Sequence, residues 1–248
     1  MQIYQELKTN EGVLRGYLHK PNILENVPLV VMYHGFKGSK VSNNFLFTQF
    51  SRYLCKHNIA SLRFDFLGSG ESDHDFSYMT FSKELNEAEE ILNYAKTFPF
   101  VSKIILMGLS MGGVIATQIA KENNFDIDKL ILWSPAGNIN KIVELRRNDF
   151  TPLENGNFDL GGIELSPSFV EDIINHDFFN GIDNFTKPVA IFHGQNDQYV
   201  PIKVSQYYKQ IYHNCQLYLY ENADHTFYNV ETRNILFRDN VKFILEEK

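Results

Sequence analysis

Residues 103–120 read KIILMGLSMGGVIATQIA. Ile104, Ile105, Leu106 and Met107 form a continuous apolar run bounded by Gly108, the pattern of a strand buried on both faces. Val114, Ile115, Ile119 and Ala120 follow at helical spacing. Between them lies Gly108-Leu109-Ser110-Met111-Gly112, a G-x-S-x-G, with Gly113 after it. A strand that turns straight into a helix reverses within a few residues, which forces the residue at the turn into a strained conformation. The flanking positions must be small, because side chains there would meet the neighbouring strand and helix. Such a turn lifts the Ser110 hydroxyl clear of the sheet over a helix N-terminus, where a nucleophile belongs.

Outward from this stretch, strands alternate with helices. Residues 1–20 read as a hairpin around Asn10-Glu11-Gly12. Residues 28–33 (PLVVMY), 60–65 (ASLRFD), 129–134 (KLILWS), 189–193 (VAIFH) and 216–220 (QLYLY) read as strands. Residues 45–57, 80–98, 202–212 and the C-terminal segment to about Leu245 read as helices. This alternation predicts a mostly parallel sheet covered on both faces, with ligands bound at the carboxyl ends of the strands. That rule places His34-Gly35, Gly68-Ser69-Gly70 and Ser110 on one rim. The rhythm breaks over residues 135–188, too long for a connection and rich in phenylalanine (Phe150, Phe158, Phe169, Phe178, Phe179, Phe185). It is expected to be an ordered lid over Ser110 whose aromatics line the pocket. The expected organisation is a core of residues 1–135 and 188–248 with a lid at 136–187.

Composition narrows the classes. The 248 residues are 44% hydrophobic and 21% charged, enough for a substantial core. A net charge of −7 favours neither nucleic acid nor an anionic membrane. No signal peptide and no membrane-spanning run are visible, so a cytoplasmic protein is expected. Cys55 and Cys215 lie in no metal-ligand spacing and read as small buried hydrophobes. A homodimer is left open.

A serine hydroxyl needs a base to take its proton, and the base needs an anion to hold its tautomer. Of eight histidines, His19, His57, His176 and His213 fall at places remote from the rim and read as solvated, and His74 comes early. His34 and His193 precede glycines at strand ends, where an imidazole buttresses a loop. His225, opening the loop after the last strand, fits the base. Asp197, on the loop after residues 189–193, fits the acid. Asp65 reads as tying down a tight loop, and Asp224 points away from its neighbour's ring. Attack on a carbonyl creates an oxyanion, for which the Met111 and Phe36 backbone N–H groups are the donors expected.

In the order Ser110, Asp197, His225, with His34-Gly35-Phe36 and RFDFLGSGES from Arg63, the chain resembles the α/β-hydrolase superfamily from end to end. Within it, the chain is most similar to small intracellular bacterial cinnamoyl (feruloyl) esterases. The residues concerned are Phe185-Thr186-Lys187-Pro188-Val189, His193-Gly194, Val200-Pro201, Gln210-Ile211-Tyr212, Glu221, Ala223-Asp224-His225 and Gly161-Gly162-Ile163. The resemblance implies an eight-stranded, mostly parallel sheet with an inserted lid, and hydrolysis of a small-molecule ester through an acyl-enzyme, with no metal and no cofactor. In those esterases a carboxylate near the start of the lid meets a phenolic hydroxyl; here no carboxylate occurs between Ala136 and Glu144. An amidase or peptidase would use the same three residues with an acidic anchor, for which Glu144, Asp149 and Glu154 are the candidates. A non-catalytic binding protein would usually lack one of the three.

Overall fold

The computed structural model describes residues 1–22 and 26–246. Eight strands form one sheet: β1 (Gln2–Lys8), β2 (Val13–His19), β3 (Val27–Tyr33), β4 (Ala60–Phe64), β5 (Val101–Leu109), β6 (Lys129–Trp133), β10 (Val189–Gly194) and β11 (Cys215–Tyr220), in the order β1-β2-β4-β3-β5-β6-β10-β11. β2 runs antiparallel to β1 and β4, and the remaining pairings are parallel. The three short strands between β6 and β10, β7 (Thr151–Pro152), β8 (Phe158–Asp159) and β9 (Glu164–Leu165), form a separate antiparallel sheet. No helix among the described residues is long and apolar enough to cross a membrane.

Period-2 alternation along each strand divides the interior in two. On β5, Ile104 and Leu106 join one cluster while Ile105, Met107 and Leu109 join the other. Helices α2 (Phe81–Lys96), α3 (Met111–Glu122) and α6 (Ile202–Ile211) cover the first face. Helices α1 (Leu46–Lys56) and α7 (Val230–Leu245) cover the second. β3, buried at every position but Pro28, is a continuous apolar run because it meets side chains from both layers.

The insertion is ordered: α4 (Ile139–Arg146), the small sheet, then α5 (Pro167–Ile173), which Ser82 grips by donating its Oγ and N–H to Asp172 at 2.5 and 2.8 Å. Its aromatics do not share one destination, contrary to the expectation from sequence. Phe178 packs on Phe81, Phe179 on Tyr208, and Phe185 is buried in the core, so the second half of the insertion is part of the α2–α3–α6 layer. Three further expectations are corrected. His19 is buried, because α1 residues Arg52, Cys55 and Lys56 lie over the end of β2. His176 is only part-exposed, near Ser82 and Asp172. The two cysteines are free and only partly covered; burial pushes the Cys215 thiol up to about 12, well away from thiolate chemistry.

Candidate active site

Ser110 stands between β5 and α3 with φ 58° and ψ −120°, a strained conformation for a residue bearing a side chain. Neighbours over-determine it: its N–H donates to the Trp133 carbonyl at 2.9 Å, and its own carbonyl accepts from Gly113 and Ala136 at 3.0 and 3.1 Å. The flanking glycines are required by space. A Cβ on Gly108 would lie 2.0 Å from the Gly112 carbonyl oxygen, and one on Gly112 2.2 Å from that of Tyr33.

Asp197 and His225 come from the loops after β10 and β11. These loops touch because Gly194 lets them; a Cβ there would lie 2.4 Å from the Ala223 carbonyl oxygen. The Asn196 N–H donates to that same oxygen at 2.9 Å. His225 Nδ1 donates to Asp197 Oδ2 at 2.6 Å, and the Asp197 side chain is fully buried. Its other oxygen, Oδ1, accepts from the Tyr199 and Val200 N–H groups at 2.8 and 2.9 Å. Burial, the largest effect on Asp197, opposes its ionisation, but hydrogen bonds from His193 and His225 outweigh it and hold the carboxyl well below its usual range.

The contact from His193 to Asp197 was not foreseen in the sequence. A carbonyl can only accept, so the 2.9 Å contact between His193 Nε2 and the Val200 oxygen puts the proton on Nε2. That same nitrogen lies 3.3 Å from Asp197 Oδ2, while Nδ1 and Ser205 Oγ share a hydrogen bond of 2.6 Å. The His193 imidazole therefore braces the Asp197 carboxylate. His34 is fixed by the same logic: Nδ1 donates to the Gly35 carbonyl at 2.9 Å and Nε2 accepts from the Phe66 N–H at 3.1 Å. Burial lowers its affinity for a second proton.

Ser110, His225 and Phe36 all line one cavity of about 750 Å³ at the carboxyl ends of the strands. Asp197 stands behind His225, and Met111, the first residue of α3, follows Ser110 with its side chain buried. Gly68-Ser69-Gly70 contribute nothing to the lining; their loop folds instead around Asp65, which accepts from Lys40 Nζ at 2.5 Å and the Glu71 N–H at 2.8 Å. Asp224 accepts from the Thr226 and Tyr228 N–H groups at 3.1 and 2.9 Å, shaping the turn that carries His225.

From the insertion the cavity receives α4, the β8–β9 turn and α5. The Phe36 ring stacks on Phe169 of α5 with centroids 5.1 Å apart, and Lys37 Nζ donates to the Leu160 carbonyl at 2.8 Å. The segment that follows β3 is thus clamped to the insertion by two consecutive residues. Tyr199, exposed at the mouth, sits 5.4 Å from the His225 ring. Its place two residues after Asp197 was the available signal for it.

Residues 25–154 match the family described as serine aminopeptidase, S33. No curated protein sequence matches the chain significantly. Among solved structures, Est1E from Butyrivibrio proteoclasticus with ferulic acid bound is 27% identical, covers 97% of this chain and 98% of its own, and superposes with a TM-score of 0.86. Two more distant structures share the fold alone. The esterase domain of a Rhodothermus marinus protein is 22% identical with TM-score 0.74, covering 98% of this chain and 97% of its own. Mouse alpha/beta hydrolase domain-containing protein 10 is 19% identical with TM-score 0.78, covering 98% of each chain.

Proposed function

The chain belongs to the serine aminopeptidase S33 family of α/β hydrolases, and from that premise we propose that it is a serine carboxylesterase acting through an acyl-enzyme. The observation that carries this reading is the 2.6 Å bond from His225 Nδ1 to a buried Asp197, with Ser110 strained at the turn on the same cavity.

Asp197 occupies Nδ1, so Nε2 is the basic nitrogen of His225 and takes the Ser110 proton as Oγ attacks the ester carbonyl. The Phe36 and Met111 N–H groups receive the developing oxyanion; one such donor is worth about 3–4 kcal/mol. Collapse breaks the carbon–oxygen bond, the alcohol leaves with the proton from Nε2, and the acyl group stays on Ser110. Water, deprotonated by the same nitrogen, then releases the carboxylic acid. The first half of the insertion, from α4 to α5, acts as the lid over this reaction, with Phe150 and Phe169 as the aromatic walls it contributes.

The likeness to Est1E with ferulic acid bound supports an aromatic acyl group among the substrates. The family's description favours a second reading, an aminopeptidase, which would need an acidic anchor for the peptide amine. Glu144, Asp149 and Glu154 do not line the cavity, and Asp224, which does, uses one carboxylate oxygen, Oδ1, to hold its turn. The esterase reading is therefore the stronger. Ser110→Ala should lower turnover of p-nitrophenyl acetate by roughly six orders of magnitude and abolish labelling by a fluorophosphonate probe; near-native hydrolysis by that variant would remove the reading. Faster cleavage of aminoacyl-naphthylamides than of esters would decide for the peptidase.

A further inference from the structure

Resting on the esterase reading, we propose that the substrate carries a carboxylate at the end of an apolar arm and that Arg146 receives it. Helix α4 starts beside the nucleophile: the Ala136 N–H donates to the Ser110 carbonyl at 3.1 Å, and the Ile139 N–H to that of Ala136 at 2.9 Å. From there Ile139, Ile142, Val143 and Arg146 recur at three- and four-residue spacing, and all four line the cavity. They form one face of the helix, apolar for two turns and then cationic. Seven residues of helix rise about 10 Å, so the Arg146 backbone lies about that far along α4 from Ile139.

The charges around the cavity leave Arg146 for a ligand. Lys37 also lines it, but its ammonium is held by the Leu160 carbonyl. Asp224 accepts from two backbone N–H groups through Oδ1. Among the described residues Arg146 has no hydrogen-bond or ion-pair partner, although the chain's net charge is −7. A cation in the last turn also suits the helix dipole, but Arg147 serves that end equally and does not line the cavity. A guanidinium presents two parallel donors that fit a carboxylate edge to edge. An anionic ester reaching along α4 would bury its chain on Ile139, Ile142 and Val143 and end on that fork.

Two pairs of esters test this, with the anion in either arm. In the first, mono-p-nitrophenyl octanedioate is compared with p-nitrophenyl octanoate; in the second, the butyrate ester of 8-hydroxyoctanoate with octyl butyrate. In one pair the ratio of kcat/KM, anionic over neutral, should be roughly three- to tenfold higher in the native protein than in Arg146→Gln. It should drop further in Arg146→Glu and shrink with added salt. An equal ratio in the native protein and Arg146→Gln for both pairs overturns the proposal. Binding of octanedioate monomethyl ester, measured by calorimetry, supplies an arm independent of turnover. It should be weaker for Ser110→Ala/Arg146→Gln than for Ser110→Ala, and equal affinities count against Arg146. Failure of the native protein to cleave all four esters would overturn the esterase reading, while the calorimetry still decides on Arg146.

Discussion

At the residue scale, the acid is the best-supported side chain in the site. Asp197 accepts two backbone N–H bonds on one oxygen and faces two imidazoles on the other. Asp197→Asn keeps the shape but offers His225 a group that no longer favours the Nδ1–H tautomer or balances an imidazolium. Its kcat should be about four orders of magnitude lower, read in pre-steady-state or long-time assays beside Ser110→Ala as the baseline. The same carboxylate bears on acid stability. Its folded-state value lies below its unfolded one, so its contribution is complete above the ordinary carboxylate range and lost as pH falls through the folded value. Melting followed from about pH 6 to about pH 3 should show the native protein losing more than Asp197→Asn.

At the element scale, the strand–turn–helix around Ser110 tolerates no added atoms. Gly112→Ala puts a methyl 2.2 Å from a carbonyl oxygen of the neighbouring strand, and should cost at least about 3 kcal/mol in chemical denaturation. The clamp between the Phe36–Lys37 segment and the insertion makes a gentler case. Lys37→Met removes one hydrogen bond to Leu160 worth about 1 kcal/mol. If that bond holds the Phe36 N–H in place, kcat should fall near fivefold with KM little changed. Sequence reveals elements like the turn because each residue there answers a local demand: alternation on β5, small size at 108 and 112, apolar spacing on α3. It conceals what depends on distant partners. Phe178 and Phe185 look like pocket aromatics until α2, α3 and α6 claim them. His19 looks solvated until α1 covers it, and His193 looks like a loop buttress until Asp197 arrives beneath it. The row Ile139-Ile142-Val143-Arg146 is not read as a helical face in sequence, and nothing local says what that face looks upon.

At the scale of the whole molecule, three buried groups set how stability follows pH. Burial pushes Glu87 up to about 8, and Glu84 on the same helix is raised well above its usual value by burial and by Glu87. The folded state keeps Glu87 protonated where the unfolded chain does not, so stability falls as pH rises from about 4.5 towards 8. Burial drives His19 the other way, down to about 4, so stability falls as pH drops from 6.5 towards that value. Between about 4.5 and 6.5 the His19 slope opposes those of Glu87 and Glu84, and above 6.5 the two carboxylates act unopposed by it. From pH 6.5 to 8 the native protein should lose on the order of 1 kcal/mol per pH unit. Glu87→Gln should flatten that limb in thermal melts, and a slope left unaltered would refute the assignment. The insertion bears on the molecule differently. The strands at its two ends are hydrogen-bonded neighbours, Leu130 N–H to the Pro188 carbonyl and Ser134 N–H to that of Phe192, at 3.0 and 2.9 Å. The polypeptide therefore departs and returns through one doorway, so exchanges among the α4 residues that face the cavity leave the strands beneath them joined.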